Sequence, residues 1–353
     1  MNGISSGPRD VIRAMKAYTL ELREAGTKLN QNESPFDFPE PLKREVLDRV
    51  ARLPWNLYPE FEAARLRSAL AAAWGLTAPS VLVGNGSNEL LAAAIATFVE
   101  PGKRVAFARP TFALYEKLVA IAGGEALPVD FDPRSGALPL DALVETVERE
   151  SADVVIVCSP NNPTGGVLAP GGIERLLETG AVVLLDRAYG DFANDALPQP
   201  TGRLVVCSTF SKAWGLAALR LGWLCSTPET VAEIRKAKLP YNLNVVSEEA
   251  AVVALAHSAF RDANVAAIVG ERQRVYGAMS KMAGIEPFPS QANFITFRCS
   301  DAALVFEALC AAGVLVRDVS AYPSLDGCLR VSIGTQQQND RFLGSLQEAL
   351  EAA

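Results

Sequence analysis

Short apolar runs alternate with longer amphipathic stretches through the middle of the chain. Several of the runs are apolar at every position, which is typical of strands that are covered on both faces. The predicted strands are Val81–Val83, Arg104–Ala108, Ala126–Val129, Val154–Cys158, Val182–Leu185, Leu204–Cys207 and Leu221–Cys225. The segments between them include predicted helices at Asn88–Val99, Phe112–Ala122, Leu140–Arg149 and Gly172–Thr179. This alternation predicts an α/β fold, with a mostly parallel seven-stranded sheet flanked by helices.

The pattern changes towards the C-terminus. A long helical pattern at Ser247–Ala283 precedes shorter segments that alternate between strand and helix, which favours a smaller α+β domain with an antiparallel-leaning sheet. These segments are Asn293–Phe297, Ala302–Ala312, Val314–Arg317 and Leu329–Ile333. A helix is also predicted at Arg9–Arg23. Because cores usually divide beyond roughly 250–300 residues, we expect an N-terminal arm with part of the small domain (1–45), a large domain (46–245) and a small C-terminal domain (246–353).

Composition and charge narrow the classes of function. The net charge of −7 argues against a nucleic acid or an anionic membrane surface as the main partner. The six cysteines are scattered without a C-x-x-C pair, and the N-terminus lacks a signal-peptide pattern, so we expect a soluble cytoplasmic protein. The single histidine, His257, excludes metal sites built from several histidines. Proton transfer is therefore expected from lysine, tyrosine or carboxylate side chains.

The strongest chemical signal is a lysine placed directly after an apolar strand. Lys212 lies in the segment Ser208–Leu216, where burial would disfavour the ammonium form and lower the pKa of the amine. A lysine of this kind can act as a nucleophile that forms a Schiff base. Thr209, Ser211 and Arg220 would place two hydroxyls and a guanidinium around one anion, as a phosphate requires. The alternative is an exposed lysine at a strand end, among ordinary loop hydroxyls.

Three further segments place polar groups at the ends of predicted strands. Asp186 ends a buried strand, where an acid points into the ligand-binding crevice of an α/β sheet, and Tyr189 follows it. The turn at Ser159–Gly166 reads Ser-Pro-Asn-Asn-Pro-Thr-Gly-Gly and holds its amide groups rigidly. The loop Gly84–Ser87 leads into a helix start that suits a phosphate, although Glu89 stands where a dinucleotide fingerprint needs glycine. Helix capping by the acid, and plain turns, are the alternatives.

Together, these four segments resemble the fold-type I pyridoxal-phosphate enzymes, the aspartate aminotransferase superfamily, and within it the histidinol-phosphate aminotransferase family. The resemblance covers nearly the whole chain and extends to further stretches: Leu29–Glu33, Tyr58–Pro59, Gly86–Glu89, Pro110–Phe112 with Tyr115, Val316–Asp318 and Gly327–Arg330. It implies an aspartate aminotransferase-like fold with pyridoxal 5'-phosphate as cofactor. It also implies amino transfer between histidinol phosphate and 2-oxoglutarate in histidine biosynthesis, by a homodimer with shared active sites.

The resemblance implies a role for each matching residue at the cofactor. Lys212 would hold the cofactor as a Schiff base and, once released, move a proton between the substrate and the cofactor. Asp186 would pair with the pyridinium nitrogen, Asn162 and Tyr189 would contact the phenolic oxygen, and Tyr115 would stack on the ring. The phosphate would be bound by Ser87, Asn88, Thr209, Ser211 and Arg220, with Tyr58 reaching it from the second subunit.

At the substrate, the resemblance implies that Arg330 holds a carboxylate or phosphate, helped by Arg317, Asn32 and a Tyr18 contributed by the partner's N-terminal arm. It also implies a cis peptide bond at Ser159-Pro160, at Asn162-Pro163, or at both.

One position departs from the family pattern. Many members read Asp-Glu-Ala-Tyr where this chain reads Asp-Arg-Ala-Tyr. Because side chains alternate along a strand, we expect Arg187 to point away from the side that Asp186 faces. The core chemistry is then expected to survive the change.

Other functions stay open on the sequence alone. An aromatic amino-acid aminotransferase is the nearest alternative, followed by a pyridoxal-phosphate decarboxylase such as the threonine-phosphate enzyme of cobalamin synthesis. Transaminase and decarboxylase differ in which bond at the substrate Cα lies perpendicular to the cofactor plane. A non-catalytic binding protein is the third alternative, and the presence of Lys212, Asp186 and Arg220 argues against it.

Overall fold

The computed structural model describes residues 7–17, 23–193 and 195–351. The strands in these ranges are β1 (Thr27–Lys28), β2 (Val81–Gly84), β3 (Arg104–Arg109), β4 (Glu125–Asp130), β5 (Val154–Cys158), β6 (Val182–Asp186), β7 (Leu204–Thr209), β8 (Gly222–Cys225), β9 (Ile285–Pro287), β10 (Phe294–Cys299), β11 (Val314–Leu315), β12 (Arg317–Asp318) and β13 (Cys328–Ser332). The α-helices are α1 (Asp10–Ala14), α2 (Glu40–Ala51), α3 (Ala64–Trp74), α4 (Ser87–Phe98), α5 (Leu114–Ala122), α6 (Leu140–Glu150), α7 (Gly172–Glu178), α8 (Pro228–Ala237), α9 (Val245–Ala256), α10 (Ala259–Met279), α11 (Ala302–Ala311) and α12 (Gln336–Glu351).

Strands β2 to β8 form one seven-stranded sheet in the order β2-β8-β7-β6-β5-β3-β4. Strand β8 runs antiparallel to both of its neighbours, and the other pairs are parallel. The predicted mostly parallel sheet is therefore confirmed, and each predicted strand is present with small differences at its ends. Because parallel strands point the same way, the carboxyl ends of β5, β6 and β7 lie together at one edge of the sheet.

Apolar layers cover both faces of this sheet. In β5, Val155 and Val157 belong to one layer, while Val154 and Ile156 belong to the other. Full burial of each such side chain stabilises the fold by roughly 1.5–3 kcal/mol. The continuous apolar runs in the sequence arise from this packing, since neither face of the strands meets water.

A four-stranded sheet in the order β12-β13-β10-β9 lies in the C-terminal part, with antiparallel pairing throughout. Helix α11 packs against α12 and against this sheet, and α10 packs against α12. Near the N-terminus, β1 pairs in parallel with β11, so the chain adds a short strand to the C-terminal part before it enters the large sheet. The predicted α+β arrangement of the C-terminal part is present.

Two helix predictions were wrong in length. The predicted helix Arg9–Arg23 is limited to α1 among the described residues, and α1 has no buried residue that would stabilise such a short helix. The predicted long helix Ser247–Ala283 is divided into α9 and α10, which meet at 80° around His257. No single helix in the described ranges is long and apolar enough to cross a membrane, although the bent pair of α9 and α10 meets that requirement by length and composition.

Candidate active site

A cavity of about 210 Å³ that opens to solvent lies at the carboxyl edge of β5, β6 and β7. Most of the predicted site residues line it, namely Asn32, Ser87, Asn88, Asn162, Asp186, Tyr189, Thr209, Ser211, Lys212, Arg220, Arg317 and Arg330. The remaining lining residues are Asn30, Gln31, Phe112, Cys158, Ala188, Val319 and Tyr322. The fold thus brings together the four segments that the sequence places after separate strands.

Lys212 reaches the cavity from the loop after β7. Its Nζ donates a hydrogen bond to the backbone oxygen of Gln31 at 3.0 Å and stands 5.7 Å from the ring centroid of Tyr189. Burial lowers the pKa of the Lys212 amine from 10.5 to about 8, and the positive charge of Arg330 acts in the same direction. More of the amine is therefore uncharged near neutral pH than in an ordinary lysine, which suits a nucleophile.

Asp186 ends β6 as a buried carboxylate. Its Oδ2 accepts a hydrogen bond from the hydroxyl of Tyr115 at 2.7 Å, and its Oδ1 accepts one from the backbone N–H of Ala188 at 2.9 Å. Desolvation raises the pKa of this carboxyl, and both hydrogen bonds oppose the rise. In the described ranges no lysine or arginine forms an ion pair with Asp186, so a cationic ligand atom would supply a missing countercharge.

The start of α4 and the loop after β7 form an anion cradle. Gly86, with φ of 85°, precedes Ser87, the first residue of α4. The hydroxyl of Thr209 donates to Ser211 Oγ at 3.0 Å, and Arg220 Nη1 donates to the same oxygen at 3.4 Å. Unpaired N–H groups at a helix start, hydroxyls and a guanidinium together suit a phosphate.

Two glycines allow this cradle to close. A Cβ on Gly222 in β8 would lie 2.3 Å from the backbone nitrogen of Ser87, so the strand can pass the helix start only as glycine. A Cβ on Gly86 would lie 2.8 Å from Arg220 Nη2. Arg220 itself has φ of 53°, a left-handed backbone conformation that is strained for a non-glycine residue.

Two arginines face the cavity from neighbouring strands of the small sheet. Arg317 in β12 is paired in register with Arg330 in β13. Arg330 is anchored on both sides, because its Nη1 donates to Asn162 Oδ1 at 2.5 Å and its Nη2 donates to the backbone oxygen of Asn30 at 3.0 Å. In the part of the chain that the structure describes, the side chain of Arg317 makes no hydrogen bond or ion pair, which leaves its guanidinium available to a ligand.

Tyr189 is tied to the N-terminal segment by Asn32. The Nδ2 of Asn32 donates to the hydroxyl oxygen of Tyr189 at 3.0 Å. Ser332 at the end of β13 accepts from the backbone N–H of Asn32 at 2.8 Å and donates to its Oδ1 at 3.2 Å. Asn32 therefore contacts Tyr189 directly, and the substrate contact predicted for Asn32 stays a prediction.

The ring-stacking residue was predicted wrongly. Tyr115 lies inside α5 with no exposed surface, its hydroxyl is directed at Asp186, and its side chain does not line the cavity. Phe112, just before the helix, lines the cavity instead and packs edge-on against Tyr115 with ring centroids 5.7 Å apart. The same short stretch of sequence supplies both rings, and only the point at which the helix begins distinguishes them.

Two residues were predicted to reach the site from the second subunit, Tyr58 and Tyr18, and both stay predictions. Tyr58 is 82% exposed and stacks on Tyr241 at 4.6 Å between ring centroids, outside the cavity. Tyr18 lies outside the described residues. Gln31 and Ser332, which orient Lys212 and Asn32, were missed because single backbone or hydroxyl contacts between distant segments leave no sequence signal.

Arg187 points away from the cavity, as predicted from strand alternation. It is buried, and its Nη1 donates to Asp195 Oδ2 at 2.8 Å and to the backbone oxygen of Ala196 at 3.1 Å. Its structural role is therefore to hold the segment after β6. Asp186 keeps hydrogen bonds of its own, to Tyr115 and to the backbone N–H of Ala188.

The turn after β5 has the predicted cis geometry at both Ser159-Pro160 and Asn162-Pro163, and a third cis bond occurs at Arg109-Pro110. Asn161 is fully buried in this turn, where its Nδ2 donates to the backbone oxygen of Pro110 at 2.9 Å and to Thr164 Oγ1 at 2.8 Å. The neighbouring Asn162 is thereby presented to the cavity.

Known proteins are similar to this chain over nearly its whole length. The family model for aminotransferase class I and II covers residues 24–346. The histidinol-phosphate aminotransferase of Chlorobium luteolum is 38% identical over 357 residues, covering 99% of each chain, and that of Chlorobium limicola is 37% identical over 330 residues, covering 92% of this chain and 93% of the relative. The crystal structure of histidinol-phosphate aminotransferase from Sinorhizobium meliloti in complex with pyridoxal-5'-phosphate is similar with a TM-score of 0.86, at 26% identity over 98% of each chain.

Proposed function

The chain belongs to the aminotransferase class I and II family, and from this premise we propose that it transfers the amino group of histidinol phosphate to 2-oxoglutarate. The enzyme is a pyridoxal-phosphate-dependent transaminase. The observation that carries the proposal is the position of Lys212. Its amine, with a pKa of about 8, shares one cavity with a buried carboxylate, an anion cradle and two arginines.

The residues present fit pyridoxal phosphate. Asp186 is a buried carboxylate without a cationic partner among the described residues, and a protonated pyridine nitrogen would provide one. The anion cradle suits the phosphate, and Phe112 contributes an aromatic ring to the lining of the same cavity. When bound, the cofactor supplies an aromatic ring that takes up the electron pair released at the substrate carbon. Asn162 and Tyr189 lie in the same cavity, where they would hold the phenolic oxygen.

Lys212 provides both the covalent anchor and the proton transfer. Its lowered pKa keeps part of the amine neutral, so it can act as a nucleophile and afterwards as a base that removes the proton from the substrate carbon. The hydrogen bond to the backbone oxygen of Gln31 orients Nζ within the cavity. Arg330 is too firmly anchored by Asn162 and Asn30 to move freely, which makes it a fixed anion site.

Two anion sites suit two different substrates. Histidinol phosphate carries a phosphate, whereas 2-oxoglutarate carries two carboxylates. Both must be held by the same cavity in successive half-reactions. Arg317 and Arg330 on adjacent strands present two guanidiniums to one cavity, and guanidinium binds either group with paired hydrogen bonds.

We propose a homodimer with shared active sites. Large apolar side chains are exposed in the segments just before α3 and just after α8. We call them the apolar patch: Trp55, Leu57, Tyr58, Phe61, Leu239 and Tyr241. Patches of this kind mark association surfaces. Tyr58 lies within the patch, so a second copy seated on it would place this tyrosine where the family resemblance requires it. The cysteines form no disulfide in the described ranges, which supports a reducing, cytoplasmic location. We also propose that the chain is divided into an N-terminal arm with part of the small domain (1–45), a large domain (46–245) and a small C-terminal domain (246–353).

An absorption spectrum tests the function directly. The purified protein is mixed with pyridoxal phosphate, then with histidinol phosphate, and finally with 2-oxoglutarate. We expect a visible band that histidinol phosphate converts to that of pyridoxamine phosphate and that 2-oxoglutarate restores. A band that responds only to aromatic amino acids would favour an aromatic aminotransferase, and release of carbon dioxide from phosphothreonine would favour a decarboxylase. Absence of any band would contradict the proposal.

A further inference from the structure

The hydroxyl of Tyr115 has no part in the proposed function, yet its placement is specific. Tyr115 has no exposed surface, and its ring is fixed edge-on against Phe112. Its hydroxyl donates to Asp186 Oδ2 at 2.7 Å, the usual length for a well-formed hydrogen bond from a hydroxyl to an oxygen. A phenylalanine would fill the same space in the apolar layer, so packing alone does not explain a hydroxyl here.

The groups around Asp186 determine how much the hydroxyl of Tyr115 contributes to the state of the carboxylate. The two strands that flank β6 place Cys158 and Cys207 beside Asp186 in register, and both cysteines are buried. Burial raises the pKa of both thiols and of the hydroxyl of Tyr189, so these nearby titratable groups stay neutral. Among the described residues, the charge of the carboxylate is therefore stabilised by neutral donors, Tyr115 at one oxygen and a backbone N–H at the other.

Neutral donors and an ion pair act differently on a buried carboxylate. A lysine or arginine at Asp186 would cancel the charge that a cationic ligand needs. A phenol and a backbone amide hold the carboxylate in one orientation and favour its ionised form without supplying a countercharge. The charge then remains for the ligand.

We propose that Tyr115 is a positioning residue, which fixes the Asp186 carboxylate and keeps it ionised for the protonated ring nitrogen of pyridoxal phosphate. This inference rests on the proposed function. Tyr115 acts through Asp186 and touches neither substrate nor cofactor.

The test is Tyr115→Phe in the full-length protein, with two readouts that need no turnover. The first is the dissociation constant of pyridoxal phosphate, titrated by absorption without an amino donor. We expect it to rise about 10- to 100-fold, the effect of losing one hydrogen bond to a charged group. The second is the dependence of this constant on pH. Removing the donor raises the pKa of Asp186, so the loss of affinity on the acid side should begin at a higher pH than in the wild type.

A matched control and a double-mutant cycle separate this effect from packing. Tyr276→Phe removes a hydroxyl that makes no hydrogen bond in the described ranges, and it should change neither readout. In an Asp186→Asn background, adding Tyr115→Phe should weaken cofactor binding little further, because the charged acceptor is gone. Additive losses in the cycle would mean that Tyr115 acts independently of Asp186 and would overturn the inference.

The inference would also be overturned by a folded Tyr115→Phe variant that binds pyridoxal phosphate as tightly as the wild type and loses affinity at the same acidic pH. If Tyr115→Phe does not fold, site-specific 3-fluorotyrosine at position 115 keeps the shape while making the phenol a stronger donor. The loss of cofactor affinity on the acid side should then begin at a lower pH, and an unchanged pH dependence would count against the inference. A wild-type protein that does not bind pyridoxal phosphate would instead contradict the proposed function itself.

Discussion

Asn32 donates a hydrogen bond from its side-chain amide to the hydroxyl oxygen of Tyr189 at 3.0 Å, although the two residues are 157 positions apart. Asn32 has φ of 55°, and Ser332 holds both its backbone and its side chain. The hydroxyl of Tyr189 is thus oriented by a residue in an unusual backbone conformation. Asparagine tolerates this conformation better than most residues, which explains why it can serve here.

Two substitutions at Asn32 separate the effect of its hydrogen bond to Tyr189 from the effect of its positive φ. Asn32→Ala and Asn32→Gly both remove the hydrogen bond, so we expect kcat to fall about three- to tenfold in each. Only alanine is strained at positive φ, so its free energy of unfolding should be about 1 kcal/mol lower than that of the glycine variant. Steady-state kinetics and urea denaturation measure these quantities. Wild-type kcat in both variants would show that the Tyr189 contact is not used.

Lys212→Ala should abolish turnover while leaving noncovalent binding of pyridoxal phosphate measurable. The anion cradle and Asp186 remain intact in this variant, whereas the nucleophile and the base are lost. Equilibrium dialysis reports the retained cofactor, and a transamination assay reports the lost activity. Lys281→Ala, at an exposed surface position, serves as the control and should behave as the wild type. Turnover near the wild-type rate in Lys212→Ala would refute the central assignment.

The pKa of Lys212 predicts how cofactor attachment depends on pH. Only the neutral amine attacks, and burial brings its pKa down to about 8. The rate of covalent attachment to the apo-protein should therefore rise as the pH increases through about 8 and level off above it. Stopped-flow absorption follows this rate. A rise centred near the ordinary lysine value of 10.5 would show that the amine is solvated, contrary to the structure.

Gly222→Ala should disrupt the anion cradle. The added Cβ would lie 2.3 Å from the backbone nitrogen of Ser87, so the start of α4 must shift away from β8. We expect affinity for pyridoxal phosphate, and for inorganic phosphate as a competitor, to fall by about tenfold or more, since the cradle loses backbone donors. Gly270→Ala, in α10 with nothing within 4 Å of the new Cβ, is the matched control. It should leave affinity unchanged and stabilise the helix slightly.

Charge reversal at Arg187 should lower the free energy of unfolding and leave the transaminase activity unchanged. Arg187→Glu would face Asp195 and the backbone oxygen of Ala196 with a negative charge. Because Asp195 is half exposed, solvent screening limits the loss to about 1–3 kcal/mol of unfolding free energy. Thermal denaturation with Arg187→Glu and Asp195→Arg combined should recover part of the loss. No recovery would indicate that the pair contributes little.

The sheet and the lysine were predictable because their signals are local. Runs such as β5 are apolar on both faces, and Lys212 follows its strand directly, so short sequence windows contain the information. The break between α9 and α10 was not predictable, since neither proline nor glycine marks His257 and its neighbour Ser258. The angle there arises from packing against other parts of the chain.

The assignment of Tyr115 to ring stacking failed for a related reason. Phe112 and Tyr115 are three residues apart, and which ring faces the cavity depends on α5 beginning at Leu114. Helix starts are among the least reliable features of a sequence pattern. Likewise, the contacts of residues 30–32 with Arg330, Lys212 and Tyr189 join segments that no local pattern connects.

The hydrogen bonds between Asn32 and Ser332 span 300 residues of the chain and have a consequence for synthesis on the ribosome. Residues near Asn32 emerge early, yet their partners in β13 are synthesised about 300 residues later. A nascent chain that has formed the seven-stranded sheet still lacks Arg330 and the serine that orients Asn32. Cofactor capture in its final geometry is therefore a late event, and a stalled chain ending before β13 should release pyridoxal phosphate far more readily than the finished protein.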